Sequence, residues 1–199
     1  MLPGALAIQR PIKPVIVSHK RFPIVRPTGQ RTPLMNIYSI ARIPILISGI
    51  GSLHKLPRQL TAWAVDDVLL VTDEGVAATR IIARVQELLA GHVTELFVAP
   101  AGEPHIATVD AAIAAACKLR NPAVVGIGGG TALDIAKLAA GAAVGTRPMD
   151  DYMLCAHPFA GHLPSVMIPT TSGTGAEVTR TCVLTDRHSH KSWAWDDEL

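Results

Sequence analysis

Acidic side chains are missing from the first third of this chain. Through residue 65 there are nine lysines and arginines and no aspartate or glutamate. Asp66 is the first acid, and from there on nine positive residues stand against sixteen negative ones. The basic part has no aromatic interleaving and no helical face, so it offers neither a stacking platform for nucleic acid nor a charged helix for a membrane surface. Residues 1–42 read instead as a basic, Pro-rich, partly disordered leader, punctuated by Pro3, Pro11, Pro14, Pro23, Pro27 and Pro33. It is acid-poor and Arg-bearing like a transit peptide, but its prolines spoil an amphipathic helix. Cysteine is scarce too: Cys117, Cys155 and Cys182 form no C-x-x-C pair, which points to a reduced, cytoplasmic protein. No uninterrupted apolar run reaches the roughly eighteen residues of a membrane span. Aromatics make up only 4% of the chain, whereas Ala, Val, Ile and Leu abound. That balance suits a core of helices on a parallel sheet better than a sandwich.

From residue 43 onward strand and helix patterns alternate. Ile43 to Ser48 is a short apolar run expected to form a strand, and Ser52 to Ala64 a helix with Leu53, Leu56 and Leu60 on one face. Val68 to Asp73 is a continuous apolar strand ending in an acid. Ala77 to Ala90 is expected to be the next helix, Leu96 to Ala99 a third strand, and Ala107 to Leu119 an alanine-rich helix. This rhythm, with strands apolar throughout, predicts an α/β fold: a Rossmann-like parallel sheet with helices on both faces. In such sheets ligands bind at the carboxyl ends of the strands. Asp73, Glu103 and a glycine loop sit at three such ends.

The glycine loop follows Ala123-Val124-Val125-Gly126-Ile127 as Gly128-Gly129-Gly130, and a helical pattern resumes at Thr131. Three glycines allow positive φ and leave no Cβ between backbone and ligand. Thr131 is expected to cap the helix, with Asp134 completing a capping-box-like pair. The first turn would then offer unpaired N–H groups and the positive end of the helix dipole to a phosphate. The loop is neither G-x-G-x-x-G, since Thr131 stands where the last glycine would, nor a Walker A loop. Asp73 has two open readings: a carboxylate accepting ribose hydroxyls and repelling a 2′-phosphate, or a turn residue or helix N-cap ahead of Gly75.

A fourth strand, Val166 to Pro169, runs into Thr170-Thr171-Ser172-Gly173-Thr174-Gly175. Hydroxyls and free N–H groups in a glycine-rich turn can hold a cofactor's polar parts, or simply satisfy their own backbone. His188 and His190 fall in a probable hairpin turn and His157 and His162 in a loop. A metal needs three or four convergent ligands, so no metal is expected on these histidines.

Gly128-Gly129-Gly130-Thr131-Ala132-Leu133-Asp134-Ile135-Ala136-Lys137 resembles the GGGS-x-x-D-x-A-K segment of iron-containing alcohol dehydrogenases. Pro169 through Thr179 resembles their P-T-T-x-G-T-G-S-E-V-T segment, and Val71-Thr72-Asp73 their V-T-D. The resemblance covers residues 43–199 and implies the nucleotide-binding α/β domain of that family, within the dehydroquinate synthase-like superfamily. It implies that Asp73 meets the adenosine ribose and that Gly128, Gly129, Gly130 and Thr131 hold the pyrophosphate. Thr170, Thr171, Ser172 and Thr174 would line the cofactor cleft, Thr181 and Lys191 would approach the ribose and nicotinamide side, and Asp134 would lie near the junction with substrate. The implied activity is metal-dependent hydride transfer between a small alcohol or aldehyde and NAD, less so NADP, in a possible homo-oligomer. The Fe²⁺ or Zn²⁺ ligands of full-length members belong to a helical domain with no counterpart in this sequence. The chain is therefore expected to bind NAD with little or no turnover. The alternatives are an inactive or truncated nucleotide-binding fragment, or a relative of glycerol dehydrogenase or dehydroquinate synthase.

Overall fold

The computed structural model describes residues 45–195. The basic leader at 1–42 lies outside the described residues, as do Ile43 and Pro44.

Four strands form one parallel sheet: β1 (Asp67–Asp73), β2 (Val93–Ala99), β3 (Ala123–Gly128) and β4 (Ser165–Pro169), in the order β2-β1-β3-β4. β1 and β3 are buried on both faces, which is why their sequences do not alternate. The five helices are α1 (Leu56–Ala62), α2 (Glu74–Ala77), α3 (Arg80–Leu88), α4 (Ile106–Ala116) and α5 (Gly130–Ala142). They divide between two cores, one on each side of the sheet. Val68, Leu70, Val125 and Ile127 point to the side of α1 and α3, where they meet Leu60, Ile82 and Val85. Leu69, Val71 and Val124 point to the side of α4 and α5. The strand order reverses between β1 and β3: one connection leaves β1 for β2, and the next crosses back to β3. Thr72, fully buried, donates from Oγ1 to Ile127 O at 2.8 Å and stitches the two strands together at that point.

α5 lies flush on the sheet because its inner face is alanine and the strand beneath it carries glycine. A Cβ on Gly126 would come within 2.7 Å of Ala136 Cβ. The opposite face of α5 is covered by a hairpin of β5 (Thr181–Thr185) and β6 (Lys191–Trp195), from which Cys182, Leu184 and Ala194 are fully buried. Every residue of α5 from Ala132 to Ala142 is buried as a result.

The structure corrects two expected elements. The apolar run after Ile43 is not a strand over its described residues: 45–48 have no regular structure, and Ile45 is 83% exposed. A strand needs a neighbour for its N–H and C=O groups, and no described strand pairs with this one. The helix expected over 77–90 is α3, which starts only at Arg80, and a separate short helix, α2, precedes it. Asp73 caps α2, its Oδ1 accepting from Val76 N at 2.8 Å. Thr79 caps α3, its Oγ1 accepting from Ile81 N at 3.2 Å and donating to Val76 O at 2.6 Å. Two good N-caps six residues apart start two helices.

Candidate functional site

The carboxyl ends of β1 and β3 lie side by side where the strand order reverses, which in open α/β sheets is the place of the ligand crevice. Asp73 ends β1 and the glycine loop ends β3. The local reading of Asp73 holds: it caps α2, and its Oδ2 also accepts from Gly129 N at 3.4 Å. One carboxylate thus fixes the start of α2 and the bend of the glycine loop.

Of the three glycines, Gly128 is required here for space. None of Gly128, Gly129 and Gly130 has positive φ; Gly129 is extended at φ −80° and ψ −172°. A Cβ on Gly128 would lie 2.6 Å from both Ala132 Cβ and Asp73 Oδ2, and one on Gly130 would lie 3.3 Å from Thr174 Cγ2. The cap of α5 is Gly129, not Thr131 as expected. Thr131 sits in the first turn, and its Oγ1 donates to Gly102 O at 2.9 Å. The capping box is corrected with it, because Asp134 faces the protein interior. The N–H groups of Gly130 and Thr131 still begin a thirteen-residue helix and have no intrahelical acceptor.

Asp134 and Lys137 form a buried pair. Lys137 Nζ lies 3.3 Å from Asp134 Oδ1 and donates to Thr179 O and Thr181 O, each at 3.0 Å. Asp134 Oδ2 accepts from Val183 N at 3.0 Å. Two donors of the Lys137 ammonium and one oxygen of the Asp134 carboxylate thereby clamp α5 to the segment entering β5, and the ion pair within α5 joins the two. Burial raises the Asp134 pKa above the ordinary carboxylate range, against the pull of the Lys137 charge. Burial also pushes the neighbouring Cys182 thiol up to about 12, which leaves it protonated and unreactive.

Between the loop and this clamp runs a cleft of about 400 Å³. Of the expected site residues, Gly130, Thr131, Asp134, Thr174 and Thr181 line it. Asp73, Gly128, Gly129, Thr170, Thr171, Ser172 and Lys191 are not among the residues that line it. Thr170 is bound through its N–H to Gly128 O at 2.9 Å, and the Thr171 hydroxyl lies 3.4 Å from where a Cβ of Gly129 would stand. Ser172 is exposed in the same loop. Lys191 stands at the rim, its Nζ 2.5 Å from Glu103 Oε1. Sequence reasoning assigned no site role to Pro104, Ala176, Thr179 or Val183, which also line the cleft; only Thr179, inside the hydroxyl-rich motif, carried a signal. His188 and His190 occupy the β5–β6 turn, exposed, with their N–H groups donating to Asp186 Oδ1 at 2.8 and 2.9 Å. Those two bonds, the one from His190 foremost, lower the Asp186 pKa. Among the described residues no three His, Cys, Asp or Glu side chains converge to hold a metal ion, and no helix is long and apolar enough to cross a membrane.

The chain is similar to long-chain-alcohol dehydrogenase 1 of Geobacillus thermodenitrificans, 34% identical over 154 residues. That match covers 73% of this chain and 39% of the relative. Among solved structures it is similar to the sulfoacetaldehyde reductase of Bifidobacterium kashiwanohense in complex with NAD+, with a TM-score of 0.74 and 28% identity over 82% of this chain and 44% of that one. The NADH-dependent butanol dehydrogenase A of Thermotoga maritima shares the fold, with a TM-score of 0.72 at 23% identity over 80% of this chain and 41% of that one. The chain thus spans about two fifths of the length of these relatives. A family model described as iron-containing alcohol dehydrogenase matches residues 44–199. With its α/β architecture and both sequence motifs in place, the chain belongs to the iron-containing alcohol dehydrogenase family.

Proposed function

We propose that residues 43–199 form the NAD-binding domain of an alcohol dehydrogenase that interconverts a small alcohol and its aldehyde or ketone, in the cytoplasm, with NAD preferred over NADP. The observation that carries this reading is the bare glycine bend. It delivers the free N–H groups of Gly130 and Thr131 to a cleft at the point where the strand order reverses.

The residues fit a dinucleotide on physical grounds. The space beside Gly128 is too small for a side chain and leaves main-chain donors uncovered. Those donors and the dipole of α5 would take the pyrophosphate. Asp73 would accept from a ribose hydroxyl and repel a phosphate in its place. Thr174 and Thr181 would fix the remainder by their hydroxyls, and the clamp between Asp134 and Lys137 would keep Thr181 and Val183 at the far wall. Bound NAD supplies the hydride acceptor. The described residues offer no ligand set for iron or zinc, so no step is routed through a metal.

Titrating the purified chain with NADH and NADPH tests the reading. NADH should bind more tightly. Asp73→Asn keeps one oxygen for the α2 cap, gives up the acceptor for the Gly129 N–H and loses the charge, so the NADPH-to-NADH affinity ratio should rise about tenfold, or ~1.4 kcal/mol. If neither nucleotide binds, the assignment falls. An unchanged ratio removes only the role given to Asp73.

A further inference from the structure

The rim of the cleft is spanned by an ion pair between two elements far apart in sequence. Glu103 belongs to the loop between β2 and α4 and lines the cleft; Lys191 opens β6. Their charged atoms are 2.5 Å apart, yet both side chains are largely open to solvent, at 51% and 70% exposure. The backbone beneath them is held from both sides. Thr185 N donates to Pro104 O at 2.7 Å, and Gly102 O accepts the Thr131 hydroxyl at 2.9 Å. What remains free to move at the rim is the pair of side chains.

The charges around the cleft oppose an anionic guest. Glu103 and Asp134 both line it, and the buried Lys137 is committed to Asp134 and two carbonyls. Lys191 brings positive charge to the rim, and Glu103 occupies it. We propose that Glu103 and Lys191 form a latch: Glu103 holds Lys191 in the place of an anionic ligand, and the ligand's phosphate takes the lysine over on binding. Glu103 thereby sets the affinity of the cleft for anions, acting through Lys191. For the identity of that anion the inference rests on the nucleotide reading above.

The test is NADH titration of the wild type, Glu103→Gln, Lys191→Met and the double variant, at low and high ionic strength. Glu103→Gln should tighten binding about two- to fivefold at low salt, in keeping with the strength of an exposed pair, and the gain should fade as salt screens it. Lys191→Met should weaken binding, and in that background Glu103→Gln should gain less than about twofold. A merely structural Glu103 would not tighten binding when replaced. Unchanged or weaker binding by Glu103→Gln, or a gain that persists without Lys191, overturns the latch. If the wild type binds no NADH, the nucleotide reading fails, and the same four proteins are titrated with inorganic pyrophosphate. Tightening that depends on both residues then supports the latch for a simpler anion, and its absence removes it.

Discussion

Lys137→Met unfolds about 3–5 kcal/mol more easily than the parent chain, the usual cost of stranding one partner of a buried pair. For a domain of this size that is a fall in Tm of roughly 6–20 °C. Methionine matches the lysine stem in length, so the loss is electrostatic. Asp134 keeps its charge in the interior with only the Val183 N–H to hold it, and Thr179 O and Thr181 O lose their donor. Asp134→Asn in the same protein removes the stranded charge while its side-chain oxygen still accepts from Val183 N. The double variant should therefore recover more than half of the loss. The sign with pH follows from the same geometry. Burial places the Asp134 pKa above its unfolded value near ~3.9. A carboxyl raised in the folded state binds protons there first, so its contribution to stability falls as pH climbs from the ordinary to the raised value. Without Lys137 the pKa rises further. The deficit of Lys137→Met should be largest at neutral pH and shrink on acidification as Asp134 takes up a proton. Denaturant melts of the parent, Lys137→Met and the double variant at pH 5 and pH 7 check this. A single variant within about 1 kcal/mol of the parent at pH 7 would mean that the pair carries no structural weight.

Gly128→Ala should destabilise the domain and weaken nucleotide binding together. The new Cβ would meet Ala132 Cβ and Asp73 Oδ2, each at 2.6 Å, and neither can withdraw. Ala132 has no side-chain torsion and belongs to the buried body of α5, while the Asp73 carboxylate is occupied by Val76 N and Gly129 N. Relief must come from moving the start of α5 away from β1, at about 1–3 kcal/mol or more. The same shift carries the N–H groups of Gly130 and Thr131 out of register with the cleft, so NADH affinity should drop at least about tenfold, or ~1.4 kcal/mol. Gly91→Ala is the control: its Cβ would meet nothing within 4 Å and its φ is not positive, so stability should stay within ~0.5 kcal/mol. A Gly128→Ala protein that melts and binds like the parent would show that the bend can open without cost.

What could be read from the sequence was local. β1 and β3 announced themselves as apolar runs because both their faces are buried, the half-buried β4 by its apolar run before the hydroxyl-rich turn, and the glycine bend because only glycine fits between β3 and Asp73. The turn around His188 and His190 was legible from its polar residues between two short strands. The Asp134–Lys137 clamp was not. Its partners lie 42 to 49 residues further along, and by spacing alone Asp134 looked like a partner for Thr131 at a helix start. The cap itself went to Gly129 because Gly102 O draws the Thr131 hydroxyl elsewhere. Ile45 to Ile47 carries the composition of a strand, but composition does not supply a neighbour to pair with.

The clamp also imposes an order on biosynthesis. α5 leaves the ribosome well before the residues that cover it, and until 179–183 have emerged Lys137 has no carbonyls and Asp134 no amide to bind. A nascent chain carrying only β1 to β4 would hold an ammonium and a carboxylate on a helix face that is still wet. Emergence of residues 179–195, made at about 5–20 residues per second, is then the moment at which that face dries and the domain locks.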